Sequence, residues 1–105
     1  MRLLLNTANV QYQVSRNVQE KLDGDKRQKR NRDNLPMWSI QLIALDSSGA
    51  EVINVTVAAI EKPAVSIGQF VTPVELEALP WNTNGKHGVA FRATELKKLA
   101  APKAA

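Results

Sequence analysis

The chain has 105 residues, 44% of them hydrophobic and 23% charged, with a net charge of +4 and a pI near 9.7. That length fits one domain and leaves no room for a core plus a separate catalytic module, and the composition is that of a folding chain rather than a disordered tail. The absence of cysteine excludes disulfides, thiolate zinc sites and cysteine nucleophiles, while the positive charge favours a polyanionic partner.

In chain order, Arg2 is followed by Leu3-Leu4-Leu5, an apolar run that stops at Asn6, short of the roughly 7–15 residues of a signal-peptide core. No stretch reaches the length of a membrane-spanning helix, so the expectation is a cytoplasmic protein with no membrane partner. Val10, Tyr12 and Val14 alternate with Asn9, Gln11 and Gln13, the period-two pattern of a strand with one wet face. A long polar segment from Arg16 to Pro36 follows. At its centre Lys26, Arg27, Lys29, Arg30 and Arg32 form a run of cations with no acid inside it, flanked by Glu20, Asp23, Asp25 and Asp33. Asp23-Gly24-Asp25 lacks the further acids and terminal glutamate of a calcium loop.

A second strand is expected over Met37 to Leu45, with Trp38, Ile40, Leu42 and Ala44 on one side. Asp46-Ser47-Ser48-Gly49 is a turn by composition, and a third, β-branched strand runs from Glu51 to Ile60, making a hairpin with the second. Lys62-Pro63 ends it. Gly68 opens a fourth strand from Gln69 to Leu79, which Pro73 marks as an edge or bulged strand. Asn84-Gly85 signals a tight hairpin turn, after which Val89, Phe91 and Ala93 form a fifth strand. Thr94 to Leu99 reads as a short, frayed helix of about two turns with Thr94 as its cap.

Five short strands, with a long basic loop after the first and a hairpin between the last two, point to an all-β fold. The expected architecture is a small five-stranded OB-like barrel, with a two-sheet sandwich as the alternative. Residues 1–101 would be the single barrel domain and 102–105 a flexible tail. The segment from Glu61 to Ile67 is too short for the helix that often plugs such barrels. An exposed edge around Pro73 and the apolar far face of Ile43 and Leu45 would call for cover, hence the expectation of a homodimer.

In an OB barrel the loop after strand one and the loop between strands four and five flank the oligonucleotide-binding face. Here those are the basic loop and the Lys86-His87 turn, so Lys26, Arg27, Lys29, Arg30, Arg32 and Lys86 are the candidate phosphate contacts, with Arg92 as a further one. Trp38 belongs by alternation to the core, as do Phe70 and Phe91, with Tyr12 core but its hydroxyl at the rim. Trp81 after Pro80 either covers the barrel end or sits exposed beside Lys86 and His87, where it is the candidate stacking contact for a base. Catalysis finds no constellation: His87 is the only histidine, no phosphate-cradling glycine loop exists, and Glu75 and Glu77 on one side of an edge suit repulsion of stray strands better than acid-base work. No catalytic residue, metal or cofactor is expected.

Lys29-Arg30-Asn31-Arg32-Asp33-Asn34-Leu35-Pro36-Met37-Trp38, Val55-Thr56-Val57-Ala58, Gly68-Gln69-Phe70-Val71, Leu79-Pro80-Trp81 and Gly88-Val89-Ala90-Phe91-Arg92-Ala93 together resemble a group of small regulatory proteins encoded on actinobacterial plasmids and integrative conjugative elements. Where those proteins commonly carry glycine two places before the proline, this chain has Asn34, also tolerant of positive φ. The resemblance implies a setting of plasmid or mobile-element maintenance and transfer and supplies no catalytic residues. The Gly68 to Val71 entry to strand four is also similar to single-stranded-DNA-binding proteins of replication. The expected function is therefore non-enzymatic binding of nucleic acid, DNA in preference to RNA and single strands in particular, with little sequence selectivity. The alternatives are a protein-interaction adaptor, in which the basic loop docks on an acidic partner, and a transcriptional regulator of the element.

Overall fold

The computed structural model describes residues 3–99, so the expected tail at 102–105 and the last residues of the domain lie outside the described residues. The fold is all-β. Among the described residues a single curled sheet holds nine strands: β1 (Leu3–Leu4), β2 (Gln11–Val14), β3 (Gln19–Glu20), β4 (Met37–Asp46), β5 (Gly49–Ala58), β6 (Phe70–Val74), β7 (Glu77–Thr83), β8 (Lys86–Arg92) and β9 (Glu95–Lys98). The expectation of five strands is corrected to nine, and the alternative of two packed sheets to one sheet.

The larger number comes from strands that break and resume. β4 pairs with β2 along one half, Val14 opposite Leu42, and with β3 along the other, Gln19 opposite Ser39. Between those rungs the residues Ser15 to Val18 face only Ile40 and Gln41, so the first strand bulges outward, with Arg16 and Asn17 exposed and Val18 turned back into the core. Ser15 holds the joint, its amide donating to Gln41 O at 3.0 Å.

A similar interruption divides the C-terminal hairpin. The β6–β9 ladder ends at Val74 opposite Glu95, and the β7–β8 ladder begins at Glu77 opposite Arg92. Three steps forward on one side and three back on the other connect them, so both ladders share one register. The break falls at Glu75, whose φ of 52° lies in the left-handed region. The chain from Lys86 to Lys98 thereby pairs in parallel with β5 through Phe91 and Arg92, and antiparallel with β6 through its second half.

This pairing also overturns the C-terminal helix. Glu95–Lys98 is a strand because β6 offers it a full ladder, whereas two turns of isolated helix offer little. Thr94 does not cap; its hydroxyl and amide both donate to Val74 O, at 3.2 and 3.0 Å. Nor does Pro73 sit on an exposed edge. It is buried, opposite Leu96, and Leu99 donating to Phe70 O makes Thr72–Lys97 the next hydrogen-bonded pair and Pro73–Leu96 a non-bonded one. The proline nitrogen then points toward β2, whose pairing with β6 covers only Phe70 and Val71. The argument for a homodimer from that edge falls with it.

The concave side of the sheet carries the core: Tyr12, Val14, Val18, Ile40, Leu42, Ile53, Val55, Val57, Val71, Leu76 and Ala93 pack together. Trp38 is half-buried against this cluster with its indole N–H donated to Ala59 O at 2.9 Å, and Phe91 joins it from the rim. Phe70 is only half-buried. The convex face carries polar side chains together with a few exposed apolar ones, Val52 and Trp81 among them, and the site is built there.

Candidate nucleic-acid interface

The cationic segment is a folded meander rather than a loose loop. Leu22 bridges to Gln28 and Arg30 to Pro36. The amide of Lys29 donates to Lys21 O at 2.6 Å and that of Met37 to Lys29 O at 2.8 Å, so Lys29 and Arg30 form the middle of three short extended pieces. Each reversal is made by one side chain. Asp23 Oδ1 accepts from the amides of Asp25 and Arg27 at 2.8 and 3.1 Å, and Asn31 Oδ1 from those of Asp33 and Leu35 at 3.0 and 2.9 Å. Such an Asx turn accounts for one of the acids that flank the cations: Asp23 binds backbone. Lys26 and Asn34, each at φ 61°, complete the two tips, and Asn34 thus adopts the backbone its residue type allows.

Within this meander Lys26, Arg27, Lys29, Arg30 and Arg32 are all exposed. Arg30 also donates from Nη1 to Asn34 O at 2.8 Å and so helps close its own loop. Lys86 is exposed at the other candidate loop, where Asn84 and Gly85, at φ 53° and 78°, make the two-residue turn between Thr83 and Lys86. His87 is exposed beside it.

Arg92 is differently engaged. Its Nε and Nη2 both donate to Glu77 Oε2, at 3.2 and 3.1 Å, so its charge is shared across the β7–β8 ladder. It lies in a hollow of about 410 Å³ lined by Asn31 and Leu35 from the basic meander, by Met37 at the start of β4, and by Glu75, Glu77 and Thr94 from the hairpin.

A second, larger hollow of about 500 Å³ adjoins it, with Thr56 in the wall of both. Its origin is a fork. β5 and β8 pair only at Val55–Phe91 and Thr56–Arg92, whereas β5 begins at Gly49 and β8 at Lys86, so their upstream parts diverge and leave a groove between them. Lys21, Ser39, Asn54, Trp81 and Ala90 line it, with Val52 and Val89 on the facing strands and one acid, Glu51. Trp81 is 46% exposed, so it is not folded into the end of the core.

Lys21 and Gly88 escaped sequence reasoning. Lys21 begins the meander, yet its ammonium turns away from solvent and donates to Thr56 Oγ1 at 3.1 Å. Burial in the groove wall, and then the neighbouring Lys29 ammonium, pull Lys21 below the ordinary lysine range. Nothing in its local pattern announces this. Gly88 stands opposite Trp81, and that pairing was readable by counting outward from the Asn84-Gly85 turn.

The depressed pKa has a consequence for stability. In the folded state Lys21 carries a charge penalty at neutral pH, and the penalty fades as pH climbs through the folded pKa toward the unfolded value near 10.4. Lys21→Met is expected to raise Tm at pH 7, with the advantage shrinking toward pH 10. Tyr12, pushed upward by burial and then by Asp46, lowers stability above its ordinary range, but it does so in both proteins and cancels in the comparison. Thermal melts of the two proteins at pH 7 and pH 10 check this; an equal difference at both values would contradict it.

Among the described residues no helix is long and apolar enough to cross a membrane. No protein-family model, curated protein or solved structure matches this chain.

Proposed function

We propose that the chain is a non-enzymatic protein that holds nucleic acid, single-stranded DNA before duplex or RNA, with little sequence selectivity, and that it serves the maintenance or transfer of a plasmid or other mobile element. The observation that carries the binding is the convex-face groove, lined both by Lys21, where the cationic meander begins, and by an exposed tryptophan. The mobile-element setting rests on the resemblance alone.

The strand pairings support the finer fold on which this reading draws. With β2 and β3, β6 and β7, and β8 and β9 each taken as one interrupted strand, five strands pair in the circuit first, second, third, fifth, fourth and back to first. That is the circuit of an OB barrel, whose ligands lie across the outer face of strands two and three between the two loops identified above. Lys26, Lys29, Arg30, Arg32 and Lys86 then serve phosphates, with Arg27 adding to the field beside them, and phosphate contacts position a protein without reading bases.

Titration of single-stranded DNA, duplex DNA and RNA at two salt concentrations tests the reading. The expected result is tightest binding to single-stranded DNA, and, for about five neutralised phosphates, a slope of log affinity against log salt of about −3.5. Affinity indifferent to salt would refute it. A second reading, a protein-interaction adaptor whose basic loop docks on an acidic partner, draws on the same exposed cations of the meander.

A further inference from the structure

Gly88 is a glycine that its backbone does not require. Gly49, Gly68 and Gly85 hold positive φ, but Gly88 does not; it lies within β8, where glycine weakens a strand. What excludes a side chain is Trp81: a Cβ at position 88 would stand 2.7 Å from indole Cζ2 and 2.9 Å from Cε2. The Nε1–Cε2–Cζ2 part of the ring therefore lies against Gly88, while Trp81 stays 46% exposed and lines the groove. An indole steadied on a flat strand loses little freedom when a second ring stacks on it.

The rest of the groove suits an unpaired nucleotide. Asn54 and Ser39 offer hydrogen-bonding groups, Ala90 leaves room beside the indole, and Lys21 puts a cation at the end next to Thr56. We infer that this groove is a stacking subsite for one unpaired base, with Trp81 as its platform, Gly88 as the positioning residue beneath the indole and Lys21 as the partner of the adjoining phosphate. The inference rests on the nucleic-acid reading and sharpens it: duplex DNA, whose bases are already stacked on one another, cannot fill the subsite, so selectivity for single strands arises here and not in the cationic meander.

The bland explanation of the same geometry is a tryptophan that merely covers a strand glycine and stabilises the hairpin. Fluorescence anisotropy of a labelled oligothymidylate, read together with tryptophan emission, separates the two, with an abasic sugar-phosphate oligomer of equal length as the second probe. Trp38, half-buried and bonded to Ala59 O, gives the constant background. The expected result is quenching of Trp81 by the oligothymidylate and not by the abasic oligomer. Trp81→Leu, which still covers Gly88, should weaken oligothymidylate binding about tenfold or more and abasic binding not at all, while Trp81→Phe keeps most of the affinity. Gly88→Val should match Trp81→Leu. Equal binding of the two probes, or a Trp81→Leu variant that binds like the parent, overturns the stacking subsite and leaves phosphate binding standing. Failure of the parent protein to bind either probe at low salt overturns both.

Discussion

Replacing Lys29, Arg30 and Arg32 together by alanine is expected to flatten the salt dependence of single-strand binding from a slope of about −3.5 to about −1.4, because each lost phosphate contact removes about 0.7. By the same relation affinity at 0.1 M salt should fall about a hundredfold. The meander should survive the change: its backbone bonds and the Asp23 and Asn31 turns do not use these side chains, apart from the one bond from Arg30 to Asn34 O. Far-UV circular dichroism and Tm can verify that. A variant that binds DNA as the parent does but no longer recovers a protein partner would favour the adaptor and remove the meander from the nucleic-acid interface. The double outcome makes this triple substitution the most informative single variant.

Leu42→Ala should cost about 2–5 kcal/mol of stability, the range for emptying a core leucine site that cannot collapse. Leu42 has no exposed surface, pairs with Val14 on one side and Ile53 on the other, and lies between two neighbours that are themselves buried. The strands on both flanks are held by their ladders, so relaxation into the cavity is limited. For a domain of this size the loss corresponds to a fall in Tm of roughly 10–25 °C, and it consumes a large part of the 5–15 kcal/mol typical of whole domains. Chemical denaturation with an unchanged m-value would identify it as a cavity effect. By contrast Val52→Ala, on the convex face and 59% exposed, should change stability by no more than about 0.5 kcal/mol. Equal costs at the two positions would mean that the inward and outward faces of the sheet have been exchanged.

Period-two alternation located the strands that matter most for the core. Val14, Ile40, Leu42, Val55 and Val57 all face inward as their spacing requires, because a strand with one wet face writes its orientation directly into the order of its residues. Turn chemistry was equally legible: Asn84-Gly85 and Asp46 to Gly49 reverse the chain where their composition demands. The C-terminal segment misled because Thr94 to Leu99 has local helix signals, and the ladder that overrides them comes from β6, more than twenty residues earlier. Pro73 misled for the related reason that a missing donor marks an edge only if a partner would otherwise be there; β2 simply ends before it.

For the site, charge and exposure could be read at once. Lys26, Arg27, Lys29, Arg30, Arg32 and Lys86 are exposed in the structure, since loops rich in cations have no cheaper place than water. The groove could not be read. It exists because parallel pairing of β5 and β8 stops after two rungs, a property of how two distant hairpins twist against each other and not of any short motif.

By itself, then, the order of residues determined an all-β chain with an inward apolar face, its tight turns and a concentrated patch of cations, because each of these follows from neighbours in sequence. The tertiary structure alone decided that Arg92 is tied to Glu77, that Lys21 is drawn into a wall beside Thr56, and that Trp81 rests on Gly88 at the mouth of a fork. Those are meetings between strands, and their geometry depends on register and twist accumulated across the whole sheet.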